Sequence, residues 1–506
     1  MSLHGPVDLL IIGGGINGVG IARDAAGRGL TVALCEQGDL ASATSSASTK
    51  LIHGGLRYLE TFNFRLVREA LNERDVLLRL APHIVRPLRF VLPHNGHRRP
   101  AWMIRFGLFI YDRLGPRRRL PASKAITLRG HSWGSPLKTD ASGGFVYSDC
   151  LVDDARLVVL NALCAAEHGA RIMTRTKCLA ARRDGKLWRV RVGGDGGSVS
   201  TITARAIVNA AGPWAGACLD DIFGFAEPNP LRLVKGSHIV VPRLHDGDHA
   251  FILQNPDGRV VFVIPYENDF SLIGTTEVDF GGDPASARIS PDEIDYLCTS
   301  VSRYFARPIT RGDVVWSFAG VRPLQNNVSV TASKVTREYR LLVDGDPPVL
   351  TVLGGKITTY RKLAEQALER IRPSLDPDMG GPWTAQMPLP GGDIENGDLP
   401  GYFHRLENLF PWLPGGVLGR YVRTFGTRTG DLLDGATSLK ALGEHLGSGL
   451  YEAEVDYLVR REWARTSDDI LWRRTKLGLH DDGRTTRRLD DWFAAYAGAA
   501  PGTESD

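Results

Sequence analysis

Runs of apolar and polar residues divide this chain into recognisable elements. Val7–Ile12 is an unbroken apolar run that stops at glycines, the pattern of a buried strand. Residues 16–28 carry Ala, Ile and Val at helical spacing with Gly29 as the stop, and Thr31–Cys35 is a second β-prone run ending at Glu36. Together they predict a βαβ unit with a right-handed crossover. Residues 60–80 predict an amphipathic helix, with Phe64, Val67, Leu71 and Leu78 on one stripe and Pro82 beyond it. Another helix is predicted over 153–168. Two β-prone stretches follow it, RIMTRTKCLAARR and LWRVRV, around the turn residues Asp184–Gly185. ARAIVNAAGPWAG reads as a strand entering a glycine turn. From 231 to 280 short β runs alternate with turns, which suits an antiparallel sheet. Residues 349–371 give strand, Gly-Gly, helix; the Pro/Gly-rich stretch 373–400 reads as a linker; 401–497 is mostly helical in pattern.

At about 150 residues per domain, 506 residues suggest two to four domains. The 43% hydrophobic and 23% charged composition is that of a globular protein. A net charge of +4 is too weak to argue for nucleic acid. No run of about 18 uncharged apolar residues predicts a spanning helix, and no basic segment precedes Leu9 as in a secretory signal. Cys35, Cys150, Cys164, Cys178, Cys218 and Cys298 form neither a CxxC pair nor a zinc spacing, and read as reduced core residues with no metal. One stretch stands apart. RRPAWMIRFGLFIYDRLGPRRR (98–119) holds seven arginines and one acid, Asp112, around an apolar and aromatic centre. It predicts either an interfacial helix on anionic lipid or a buried helix with a solvated basic flank.

The chemistry begins at Gly13-Gly14-Gly15-Ile16-Asn17-Gly18, which fits G-x-G-x-x-G. Glycine permits the tight turn and lets backbone N–H groups approach a pyrophosphate, while the following helix offers its positive end. Glu36, at the end of the second strand, is placed for ribose hydroxyls and favours an unphosphorylated ribose, hence FAD or NAD. Three further segments favour the longer FAD. The hydroxyl-rich loop 44–55 contributes Thr44, Ser45, Ser46, Lys50, Leu51, His53 and Gly54; a late turn contributes Ala211, Gly212 and Trp214; and a second glycine turn contributes Gly355, Lys356, Ile357 and Thr358.

IIGGGINGVGIARDAAGRGL, TSSASTKLIHGGLRYLE, FVYSDCLVDDARL, KGSHIVVP, GTTEVDF, GVRPL and GGKITTYRKLAE together resemble the FAD-dependent glycerol-3-phosphate dehydrogenase family, in particular its aerobic respiratory members. The resemblance covers nearly the whole chain. It implies an α/β architecture: a discontinuous Rossmann-like FAD domain (1–80, 145–225, 345–375), a mixed antiparallel-sheet substrate domain (81–144, 226–344) and a C-terminal helical domain (390–506). It implies oxidation of sn-glycerol 3-phosphate to dihydroxyacetone phosphate, with hydride passing from C2 to FAD and electrons then to a membrane quinone. It further implies a homodimer on the cytoplasmic face of the cell membrane. On the same ground His53 is the expected base, with His238 as a competing base or substrate ligand. Arg322 is expected to stabilise alkoxide. Arg57, Tyr58 and Arg337 extend a cationic pocket for phosphate, and Lys356 and Thr358 serve reduced flavin or substrate. An oxidase of the same fold using O₂, on this or an amino-acid substrate, is the rival reading; a flavin-binding protein without turnover is the second.

Overall fold

The glycines after strand β1 (Val7–Ile12) turn the chain into helix α1 (Ile16–Gly27), and strand β2 (Val32–Cys35) returns parallel to β1. Gly29 follows α1 at φ +90°, a conformation that favours glycine, so the helix ends there. The computed structural model describes residues 5–94, 100–116, 120–139, 142–225, 231–324, 339–376 and 378–499. After β2 come β3 (Leu51–Ile52), α2 (Phe64–Leu80), β4 (Val85–His94), α3 (Ala101–Leu114), β5 (Lys124–Thr127) and β6 (Gly143–Val152). Helix α4 (Asp154–Glu167) leads to β7 (Arg171–Met173), the hairpin β8 (Lys177–Asp184) and β9 (Leu187–Gly193), then β10 (Val199–Asn209) and α5 (Ala215–Phe223). Side-chain caps fix the starts of two helices: Asn63 accepts from the Leu66 amide (3.2 Å) and Asp153 from the Arg156 amide (3.1 Å).

The third stretch supplies β11 (Arg232–Pro242), β12 (Ala250–Gln254), β13 (Val260–Tyr266), β14 (Phe270–Gly274), β15 (Val278–Asp279), α6 (Pro291–Ser302), β16 (Trp316–Leu324), β17 (Arg340–Asp344), β18 (Val349–Leu353) and α7 (Tyr360–Ile371). Two large sheets result. The first runs β17-β18-β10-β1-β2-β7, with β9 and β8 continuing from β10. Its central strands are parallel and nearly wholly apolar because helices α1, α4 and α7 cover one face, while α5 and the β8–β9 hairpin cover the other. The second runs β15-β11-β14-β13-β12-β4-β6-β3, with β16 beside β11 and β5 beside β6. The mixed α/β class is as the sequence indicates.

Four local expectations differ from the structure. Strands β3 and β6 pair in the second sheet, although 1–80 and 145–225 were assigned to the first domain. Strand β17 joins the first sheet, although 226–344 was assigned to the second domain. A partner distant in sequence places β3, whereas a hairpin with the adjacent β18 places β17. Phe64, expected on the buried stripe of α2, is exposed, while Val67, Leu71 and Leu78 are buried. The stretch 373–400 is also less free than a linker, since the Trp383 indole donates to the Asp24 carbonyl on α1 (3.1 Å).

The C-terminal unit comprises α8 (Leu399–Leu409), α9 (Gly415–Phe425), α10 (Thr429–Leu432), α11 (Glu452–Glu462), a π-helical turn (Asp469–Arg474) and α12 (Arg484–Ala499). It has its own core around Leu418, Tyr421, Phe425, Val455 and Leu458.

Candidate active site

The glycine loop between β1 and α1 is shaped by close backbone approach. Gly13 has φ +112°, and a Cβ there would stand 2.5 Å from the Ala210 carbonyl oxygen on the neighbouring strand. Helix α1 has no side-chain cap at Gly15 and no acid in its first turn. The Ile16 amide donates to Ser45 Oγ (3.0 Å), which draws the hydroxyl-rich loop over the helix start. Glu36 is held by two backbone donors, Gly14 (2.6 Å) and Gly38 (2.7 Å). Burial raises its pKa, and the two amide bonds oppose that shift. Asn17 Nδ2 donates to the Gly354 carbonyl (3.1 Å), joining the first glycine turn to the second, while its Oδ1 has no partner among the described residues. Gly355 is required there, because a Cβ would lie 2.9 Å from Asn17 Nδ2.

This cradle suits an extended dinucleotide. A helix start without an acid accepts pyrophosphate, Glu36 retains lone pairs for ribose hydroxyls, and Asn17 Oδ1 is an orphaned acceptor inside the cleft. On the far side of the same sheet edge, Ala211 donates to Asn209 Oδ1 (3.3 Å), and Gly212 turns at φ +57°. The Trp214 indole then reaches Asp283 of the second unit (3.2 Å).

At the other end, three segments converge. The His53 amide faces Thr358 Oγ1 (3.4 Å), which ties the HGG loop to the second glycine turn. Lys356 Nζ lies 4.0 Å from the centroid of the Tyr58 ring, a cation–π contact between the same two segments. Thr44 Oγ1 donates to the Val321 carbonyl (2.7 Å), which brings the hydroxyl loop against the residue before Arg322. Arg322 Nη2 meets Thr275 Oγ1 (3.2 Å), and Nη1 stands 3.8 Å from Glu277. Arg57 is half-buried on the turn Leu56–Thr61, with no partner among the described residues.

Other expected site residues are occupied differently. Lys50, proposed at the cofactor, is 2% exposed and is committed to Asp154 (2.8 Å) and the Ser46 carbonyl (3.0 Å). Leu51 pairs with Leu151 in the second sheet, and its side chain is core. Ser46 Oγ turns back to the Ala43 carbonyl (3.3 Å). His238 is fully buried, stacked on Phe318 (4.8 Å) and bonded through Nε2 to Thr49 Oγ1 (3.0 Å). Burial, then Arg322 and Lys50, hold its pKa well below the usual histidine range. Its ring is thus enclosed between Thr49 and Phe318 and is not exposed. Ile357 and Thr358 begin a 3-10 turn, with Thr358 3% exposed. Arg337 lies outside the described residues.

Sequence reasoning passed over the support beneath the HGG loop. The Gly54 amide donates to Tyr111 Oη (2.8 Å), Tyr111 bonds Asp149 (2.8 Å), and Asp149 pairs with Arg74 (2.6 Å). A Cβ at Gly54 would meet Leu71 (2.5 Å) and Tyr111 Oη (2.6 Å), so this glycine answers to packing from below. The only sequence signal was acids after an apolar run, Asp149 and Asp154, whose partners are far away in the chain.

The family described as FAD dependent oxidoreductase matches residues 8–361, and the C-terminal domain of alpha-glycerophosphate oxidase matches 382–497. A glycerol-3-phosphate dehydrogenase of Pseudomonas aeruginosa is 55% identical over 475 residues, covering 93% of this chain and 92% of that one. The chain belongs to the FAD-dependent glycerol-3-phosphate dehydrogenase family. It is an oxidoreductase whose cofactor is FAD. Within the family, the aerobic glycerol-3-phosphate dehydrogenase of Escherichia coli K12 is 50% identical, with 97% of each chain covered. A D-erythritol 1-phosphate dehydrogenase of Brucella abortus is also 50% identical, over 96% of this chain and 97% of its own. Among solved structures, the Bacillus halodurans glycerol-3-phosphate dehydrogenase complexed with FAD superposes with a TM-score of 0.79 at 27% identity, covering 98% of this chain and 91% of that one.

Proposed function

We propose that the protein oxidises sn-glycerol 3-phosphate to dihydroxyacetone phosphate and delivers the electrons to a membrane quinone. The observation that carries this reading is the meeting of a histidine, a tyrosine-braced lysine and two arginine-bearing segments at one end of the dinucleotide cradle. Bound FAD supplies the hydride acceptor for C2. His53 takes the C2 hydroxyl proton, which suits a neutral imidazole near pH 7. Arg322, fixed by Thr275, stabilises developing alkoxide; Arg57 and Tyr58 receive the phosphate; Lys356 and Thr358 line the flavin side.

Membrane access rests on α3. Trp102, Met103, Phe106 and Phe109 are exposed on it, at 67%, 46%, 58% and 50%, while Leu108 and Tyr111 face inward. Phe62, 78% exposed, lies on the turn packed against α3. Among the described residues no helix is long and apolar enough to cross a membrane, and the exposed apolar face of α3 supports the reading of a peripheral contact.

Anaerobic titration of the holoenzyme, followed by flavin absorbance, tests the reading. Glycerol 3-phosphate should bleach the flavin stoichiometrically and yield dihydroxyacetone phosphate. D-erythritol 1-phosphate, the substrate named for the Brucella relative, should give a lower kcat/KM; the reverse ranking would reassign the substrate. Hydrogen peroxide formed at the turnover rate in air would favour the oxidase reading.

A further inference from the structure

A second cavity, of about 660 Å³, opens between β4, the turn after β13, and the C-terminal helix α9. Its size is that of a small-molecule site, since such pockets run to about 300–1,000 Å³. Its wall carries six lysines and arginines against three carboxylates, Asp153, Asp248 and Glu267.

Most of these cations are already satisfied. Lys50 pairs with Asp154, Arg420 with Glu454, and Lys476 with Asp153 (3.4 Å). Arg243 is bound to the His245 and Asn268 carbonyls and to Asp248 (3.4 Å). Arg86, on β4, and Arg423, on α9, differ: neither has a hydrogen bond or ion pair among the described residues. Both line the cavity, from two separate units of the fold, Arg86 exposed and Arg423 half-buried. Burial, and then the charge of Arg86, lower the Arg423 pKa. Glu267 faces both from the turn after β13, and burial raises its own pKa. Two guanidinium groups against the single carboxylate of Glu267 leave positive charge in excess, and guanidinium matches phosphate in shape. Leu88, Val417 and the Tyr266 ring add apolar wall, which an inorganic ion alone would leave uncovered.

We propose that this cavity binds a small phosphorylated organic molecule, its phosphate gripped by Arg86 from the substrate side and Arg423 from the C-terminal side. The site is separate from the flavin cradle, and the inference does not depend on which alcohol is oxidised there. Phosphate chemistry has two sources, a soluble metabolite and a phospholipid headgroup, and the test distinguishes them. Ribose 5-phosphate is titrated calorimetrically into holoenzyme, and phosphatidylglycerol vesicles are used in a parallel sedimentation assay. The paired substitution Arg86→Ala/Arg423→Ala should weaken one of these ligands at least about 10-fold, the cost of losing charged hydrogen bonds. Turnover without added ligand should stay unchanged. Arg86→Lys/Arg423→Lys should retain a measurable part of the binding and the wild-type melting temperature, which separates charge from folding. Arg57→Ala, in the flavin-side pocket, should leave this binding intact. Equal affinity of wild type and the paired alanine variant for both probes would overturn the proposal. So would loss of ribose 5-phosphate binding in Arg57→Ala alone, because the phosphate would then belong to the flavin side.

Discussion

His53 and Arg57 stand four residues apart on one short segment, yet different chemistry is asked of them. Removing a general base costs turnover, so His53→Ala should lower kcat by about 10²–10⁴-fold with KM little changed. Removing a phosphate cation costs binding, so Arg57→Ala should raise KM by about 10-fold or more, in line with a charged hydrogen bond. Steady-state kinetics on both variants check the split. The residue types here were legible because glycines, hydroxyls and cations cluster in the sequence. What was not legible is which cations are already engaged. Lys50 and His238 look as available as Arg57 in a string of letters, but Asp154 lies 104 positions from Lys50 and Phe318 lies 80 from His238. His83 is a further case. It is 1% exposed, neither ring nitrogen has a partner among the described residues, and burial, then Arg156, take its pKa down to about 3. An unfolded chain protonates this imidazole near pH 6.5, whereas the native protein does not until far lower pH. Its contribution is therefore complete above pH 6.5 and is lost as pH falls toward 3. Urea unfolding should show the wild type losing about 2 kcal/mol more than His83→Leu between pH 7 and pH 5.

Helix α3 is apolar on two faces, and that defeats a periodicity argument. Leu108 and Tyr111 pack inward, where Tyr111 also carries the HGG loop, while Trp102, Phe106 and Phe109 point outward. A sequence shows that such a helix exists and not which face the protein keeps. Trp102→Glu together with Phe106→Glu should reduce sedimentation with anionic vesicles several-fold while leaving kcat with a soluble acceptor intact. Retention equal to wild type would move the lipid contact off this helix. Strands β3, β6 and β17 make the same point for sheets. None of the three was marked as a strand by its own residues: β3 pairs with β6 across about a hundred residues, whereas β17 joins the first sheet through a hairpin with β18.

The C-terminal unit had no readable role in the sequence, and its contacts supply one. Asp39, three residues beyond Glu36, receives Arg473 (2.6 Å) and a bidentate bond from Arg474 (2.8 and 2.9 Å). Arg156 on α4 pairs with the fully buried Glu462, and Arg175 reaches Asp469 (2.7 Å). These bonds clasp the loop that follows Glu36. Asp39→Ala would remove a bidentate partner from the wholly buried Arg474, leaving it the Glu462 carboxylate (3.7 Å) and carbonyl (2.6 Å), at a cost of about 1.5–3 kcal/mol. The variant should release FAD at a lower temperature than wild type, as followed by flavin fluorescence on heating. An unchanged release temperature would mean that the clasp does not bear on the cofactor.

Strand β1 lies between β2 and β10, and β10 in turn waits for β18 to arrive from residues 349–353. On a ribosome adding about 5–20 residues each second, the nucleotide fold stays open along that flank for roughly 7–28 seconds. During this interval the flank of Ile207–Asn209 has no backbone partner, although neighbouring segments are already emerging. A complete cradle therefore forms only once β18 and the Gly355 turn that follows it have emerged.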